Sequence, residues 1–125
     1  MGPPMTEDVP EAEGPLHYQL LFEQHPDAMF AMNVAGRVVA GNQAFAELVG
    51  EPLQALTGGS ALRFVDPGDV ARVRAEFRAS LAGRVRSYDV RGLDRHEQAF
   101  HVSITHVPVT VDDEVTLVYA ILRDI

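Results

Sequence analysis

The C-terminal third of the chain does most to limit what it can fold into. Three runs, SYDVRGL (87–93), AFHVSITHVPV (99–109) and VTLVYAILRD (115–124), are joined by the short polar connections DRHE and VDDE. In the middle run Phe100, Val102 and Ile104 alternate with His101, Ser103 and Thr105. That is the period of a half-buried strand, and connections this short join antiparallel neighbours. The last run differs. Val118, Ala120 and Leu122 fill one phase, and Leu117, Tyr119 and Ile121 fill the other. A strand with one wet face would not be apolar in both phases, so both faces of this one need cover. A helical layer serves one face, and the N-terminal helix or a partner subunit serves the other.

Upstream, PLHYQLLFEQH reads as a short amphipathic helix that begins at Pro15 and is stopped by Pro26. DAMFAMN and RVVAG are two strands joined by a tight turn at Gly36, a β-hairpin. Asn42 is placed to N-cap QAFAELV, in which Phe45, Leu48 and Val49 share a face and Gly50 ends the helix. EPLQAL adds a helical turn. The strongest helix signal is FVDPGDVARVRAEFRASLAG: Asp66 as cap, Pro67 at the first position, and an apolar stripe of Val70, Val73, Phe77 and Leu81. Arg72 and Glu76 are spaced to pair on its far side. The order predicts one α+β domain over residues 15–125 with a mostly antiparallel sheet. Residues 1–14, acidic and proline-rich, are expected to form a disordered tail.

Composition removes several chemistries. The chain has no cysteine, so disulfides, thiolate metal sites and cysteine nucleophiles are out. A net charge of -8 opposes binding to phosphate backbones, and no apolar stretch approaches the roughly 20 residues of a membrane span. His101 and His106 are five residues apart and point to opposite faces of a regular strand, so they do not ligate one metal. No serine sits in a nucleophile elbow and no glycine-rich loop matches a phosphate cradle, so no catalytic residue is assigned.

LLFEQHPDAMFAMNVAGRVVAGNQAFAELVG, FVDPGDVARV and the terminal AILRDI, in that order and spacing, resemble a PAS domain from Leu16 to Ile125. Asp66 stands where that family often has histidine. The resemblance implies a five-stranded antiparallel sheet in the order 2-1-5-4-3, with helices over one face and a pocket between. It implies a cytoplasmic sensory module of a bacterial signalling protein, fragment or stand-alone. Such a module binds a small ligand or dimerises, and regulates a C-terminal effector of kinase or diguanylate cyclase type. The alternative is a ligand-free dimerisation module. By the family pattern Phe30, Met32, Ile104, His106, Ala120 and Leu122 face the pocket, with Val90, Val102 and Val118. Leu16, Leu20, Met29, Ala31, Tyr119 and Ile121 form an outer, homodimerising face. Arg123 and Asp124 form the signal exit. No cofactor is predicted. A photoreactive flavin needs a cysteine, redox flavin members often carry a tryptophan and this chain has none, and haem members use a histidine near the long helix, where none occurs. Non-covalent flavin and haem are left without a positive signal.

His106 is the anomaly. It occupies an apolar slot of the alternation, just before Pro108. Either it sits at a frayed strand end with its ring tip in water or on a carbonyl, or it lends a polar handle to an apolar cavity and makes ligand binding depend on pH.

Overall fold

The computed structural model describes the chain from Glu13 to Ile125, with side chains from Gln19 onward. Helix α1 (Glu13–Gln24) leads into strands β1 (Ala28–Met32) and β2 (Val38–Gly41). Helices α2 (Gln43–Val49) and α3 (Leu53–Leu56), two 3-10 turns (Ala61–Phe64 and Pro67–Asp69) and helix α4 (Val70–Leu81) follow. Strands β3 (Arg86–Leu93), β4 (Ala99–Val111) and β5 (Glu114–Asp124) close the chain. The five strands form one sheet in the order β2-β1-β5-β4-β3, with every neighbouring pair antiparallel. The helix begins two residues before the expected boundary at Pro15, and the rest of the expected tail, residues 1–12, lies outside the described residues, as does the side chain of Leu16.

The meander is longer than the alternation suggested. β4 runs through Pro108 to Val111 and pairs with β5 as far as Val111↔Glu114. The hairpin closes on Asp112 and Asp113, with φ of 52° and 68°, the left-handed pair that matches strand twist. Pro108 is tolerated mid-strand because β3 ends opposite His106, at Arg86. Beyond that point β4 has a neighbour on one side only, and a residue without an N–H can sit there.

The core lies between the sheet and the helical layer. Phe30 stacks on Phe45 at 4.5 Å, joining β1 to α2, while Val102, Val118 and Leu56 are almost fully buried. The start of α4 differs from the sequence reading. Asp66 caps the 3-10 turn, accepting from the Gly68 N–H at 2.8 Å, and the α-helix begins at Val70. Asp66 and Asp69 are also claimed by β3, through the Arg91 guanidinium and the Arg91 backbone N–H. Glu76 does not take Arg72. It accepts from Arg86 Nε on β3 at 2.6 Å, and Arg72 turns to Asp69. An exposed i,i+4 pair is worth only about 0.3–0.5 kcal/mol, so a partner held in place by a neighbouring strand displaces it.

Gly92 faces Phe100 across the β3–β4 ladder, and a Cβ at Gly92 would lie 2.2 Å from the Phe100 ring. The missing side chain is the space the ring occupies. Gly92→Ala is expected to push that ring aside and cost about 1–3 kcal/mol. Urea denaturation checks the cost, and an unchanged midpoint would show that the ring moves freely.

Candidate ligand-binding cavity

A cavity of about 430 Å³ lies between the inner sheet face and the helices. Phe30 and Met32 reach it from β1, Phe45 and Val49 from α2, Leu62 and Phe64 from the first 3-10 turn, and Val73 and Phe77 from α4. Five of the six phenylalanines and Tyr88 are in its wall. Of the residues placed there from sequence, Phe30, Met32, Val90, Val102, Ile104, His106 and Leu122 line it, and Val118, fully buried in the sheet, does not. Neither does Ala120. It is fully buried, but its methyl group lies between the larger Phe30 and His106 on the neighbouring strands.

His106 is no frayed residue. It is 2% exposed, paired with Arg86 on one side and Ala120 on the other. Its Nε2 lies 3.1 Å from the Tyr88 hydroxyl, and its ring meets those of Tyr88 and Phe77 edge-on. Burial pushes its pKa down to about 4, opposed by the backbone carbonyl and then the carboxylate of Glu76. Burial likewise raises the Tyr88 hydroxyl above its ordinary range, with Glu76 adding to this. At neutral pH the pair is therefore uncharged, so the expected pH dependence of the site is moved well below neutrality. Nδ1 is buried and has no hydrogen-bond partner of normal geometry among the described residues, although the Glu76 backbone comes near enough to the ring to oppose the downward shift. A buried polar atom left unpaired costs about 1–3 kcal/mol, and here it belongs to a residue of the cavity wall.

Tyr88 was readable from sequence, since it shares the phase of Val90 in SYDVRGL. Phe77 was read as part of the apolar stripe of α4. Phe64, in a 3-10 turn, carries no periodicity that points inward. Phe100 was on the correct phase.

On the outer face, Tyr119, Ile121 and Met29 are half-buried and Leu20 is exposed. Ala31 is not available there: it is 1% exposed within the chain itself. Phe22 of α1 packs edge-on against Tyr119 at 6.0 Å, so the N-terminal helix supplies part of the cover that the two-phase apolar strand required. At the end of β5, Arg123 Nε donates to Asp27 at 2.8 Å and ties the strand to the start of β1. Asp124 is exposed. No helix among the described residues is long and apolar enough to cross a membrane.

An antiparallel sheet whose one face is roofed by short helices around a cavity defines a class of small α+β domains. The chain belongs to one family within it, described as the PAS fold, whose sequence model matches residues 22–125. No curated protein matches. Among solved structures, the PAS domain of a protein from Colwellia psychrerythraea is 18% identical with a TM-score of 0.81, covering 88% of this chain and 95% of that one. The PAS domain of an HTR-like protein from Haloarcula marismortui is 22% identical, TM-score 0.77, covering 91% and 93%. A domain of a sensory box sensor histidine kinase/response regulator from Geobacter sulfurreducens is 19% identical, TM-score 0.77, covering 95% and 99%. At these identities the likeness is one of fold.

Proposed function

We propose that this PAS domain is a cytoplasmic sensory module that binds a small molecule in its cavity and has no catalytic activity of its own. The observation that carries the reading is a mostly apolar cavity of about 430 Å³ whose buried side holds one neutral polar pair, Tyr88 and His106, with Nδ1 left without a well-formed hydrogen bond. Few polar groups in an apolar concave site are the usual form of a small-molecule pocket. A ligand preferring one packing of the cavity wall shifts a two-state equilibrium by its differential affinity and no more. The Arg123–Asp27 pair, at the end of β5, is the point at which such a shift reaches a following effector domain. The resident residues do not suit a flavin adduct or a haem. The chain has no cysteine for a flavin adduct, α4 offers no histidine, and the Nε2 that haem iron would take is held by Tyr88.

Dimerisation through α1 and the outer sheet face is the second reading, favoured by the exposed Leu20 and Leu21 on α1, the helix whose Phe22 packs on half-buried Tyr119. Native mass spectrometry of the purified domain tests both readings. A stoichiometric added mass that His106→Ala loses, with the oligomeric state unchanged, is the expected result. A dimer that carries no guest, even after exposure to a small-molecule library, would reject the cavity reading and leave the interaction module.

A further inference from the structure

The cavity has a charged side as well as an apolar one. Arg74 and Arg78 both line it, and both are exposed, so they mark where it meets solvent. His106, 2% exposed, marks its buried side. Five arginines are ion-paired, and Arg37 and Arg95 donate to backbone carbonyls. Arg84, Arg74 and Arg78 have no side-chain partner among the described residues, and of these three only Arg74 and Arg78 line the cavity. They are also four residues apart on α4, a like-charge spacing that destabilises a helix slightly. Glu76, between them in sequence, is turned away to Arg86. In a chain of net charge -8, two adjacent unneutralised cations beside an aromatic-walled cavity are the exception to the surrounding field.

Resting on the cavity reading above, we propose that the site is selective for a monocarboxylate with an apolar, aromatic body, its carboxylate held by Arg74 and Arg78 and its ring among the phenylalanines. Size agrees with this. At about 30 Å³ per water-sized unit, the cavity admits on the order of a dozen non-hydrogen atoms. Ring-to-ring contact with Phe64, Phe77 and Phe100 favours an aryl body over a flexible chain, which would lose more rotamer freedom on entry. Guanidinium groups suit carboxylates because planar N–H donors match the two oxygens. The competing role for these arginines is to lay their stems over the apolar rim with the charged heads in water. That role carries no preference for charge in the guest.

Titration calorimetry at neutral pH and low salt, with 4-phenylbutyrate and its neutral counterpart 4-phenyl-1-butanol, separates these. The carboxylate is expected to bind about tenfold or more tightly than the alcohol. The double variant Arg74→Gln/Arg78→Gln should abolish that difference, weakening the carboxylate about tenfold or more and the alcohol far less. Both positions are exposed, and a thermal melt of the variant confirms that it folds. Equal binding of the two compounds to the unmodified domain would overturn the arginine assignment and leave the cavity reading standing. So would a preference for the carboxylate that survives in the double variant, since the anion would then be held elsewhere. If neither compound binds, both the selectivity and the cavity reading fail for this class of guest.

Discussion

Replacing Asn42 by alanine is expected to cost the domain about 4 kcal/mol, far more than the ~1 kcal/mol of an ordinary helix cap. Asn42 is 0% exposed, and both halves of its amide are used. Oδ1 accepts from the Phe45 N–H at 3.0 Å, which is the cap, and from the Met29 N–H on β1 at the same distance. Nδ2 donates to the carbonyls of Phe22 and Asp27, each at 3.0 Å. One side chain thus joins the end of α1, the first strand and the start of α2. Alanine leaves two N–H groups and two carbonyls in a place water reaches poorly. The resulting loss should lower Tm by roughly 15 °C or more. Asn42→Asp is the sharper test. Aspartate is as good an N-cap as asparagine, so a pure cap would tolerate it. Here it sets a carboxylate against the Phe22 and Asp27 carbonyls, and should destabilise at least as much as alanine. Urea melts of both variants decide it, and a near-neutral aspartate would reduce Asn42 to a helix cap.

That residue also shows what the sequence could and could not convey. An asparagine before QAFAELV announces a cap because the acceptor and the capped N–H are three residues apart. The donations to Phe22 and Asp27 bridge 20 and 15 residues, and no local pattern encodes them. The same division runs through the fold. The meander was legible through period-two alternation and short turns, and the five-stranded order through the family resemblance. The phase of β4 placed His106 inward correctly. Its frayed-end alternative came from reading Pro108 as a strand stop. What makes that proline harmless is where β3 ends, a fact of strand pairing. Glu76 was matched to its helical neighbour Arg72, because spacing along a helix is visible and the approach of Arg86 from another strand is not. Among the expected cavity residues, Ala120 has the right phase but is too small to reach past its neighbours, and side-chain reach depends on who stands beside it.

The second large effect follows from His106. In the unfolded chain a histidine takes its proton near pH 6.5, and in the fold burial holds this one to about 4. As pH falls between those values the unfolded state is protonated first, so acid favours unfolding. Stability is full above about 6.5, falls progressively below it, and has lost about 3 kcal/mol by pH 4 through this one group. The charged groups facing the ring do not cancel this. Glu76 on α4 pulls the proton on, but its carboxylate is already engaged by Arg86 from β3, and Tyr88 is neutral throughout. Glu76 has its own acid window, and it is lower. The hydrogen bond from Arg86 is the main cause holding its pKa below the usual 4.5, so the stability it contributes is lost only as pH falls below that value. The variant His106→Gln keeps a polar group for Tyr88 and cannot take up a proton. Its urea stability should be nearly flat from pH 6.5 to 4.5, where the unmodified domain declines, and the two curves should run parallel only once pH is below about 4. A direct readout is the chemical shift of the His106 ring, which should stay that of a neutral imidazole at pH 5. A ring that titrates near 6.5 would mean that water already enters the cavity beside Nδ1. The cavity would then be wet beside Nδ1, and the case for a guest with an apolar body would weaken with it.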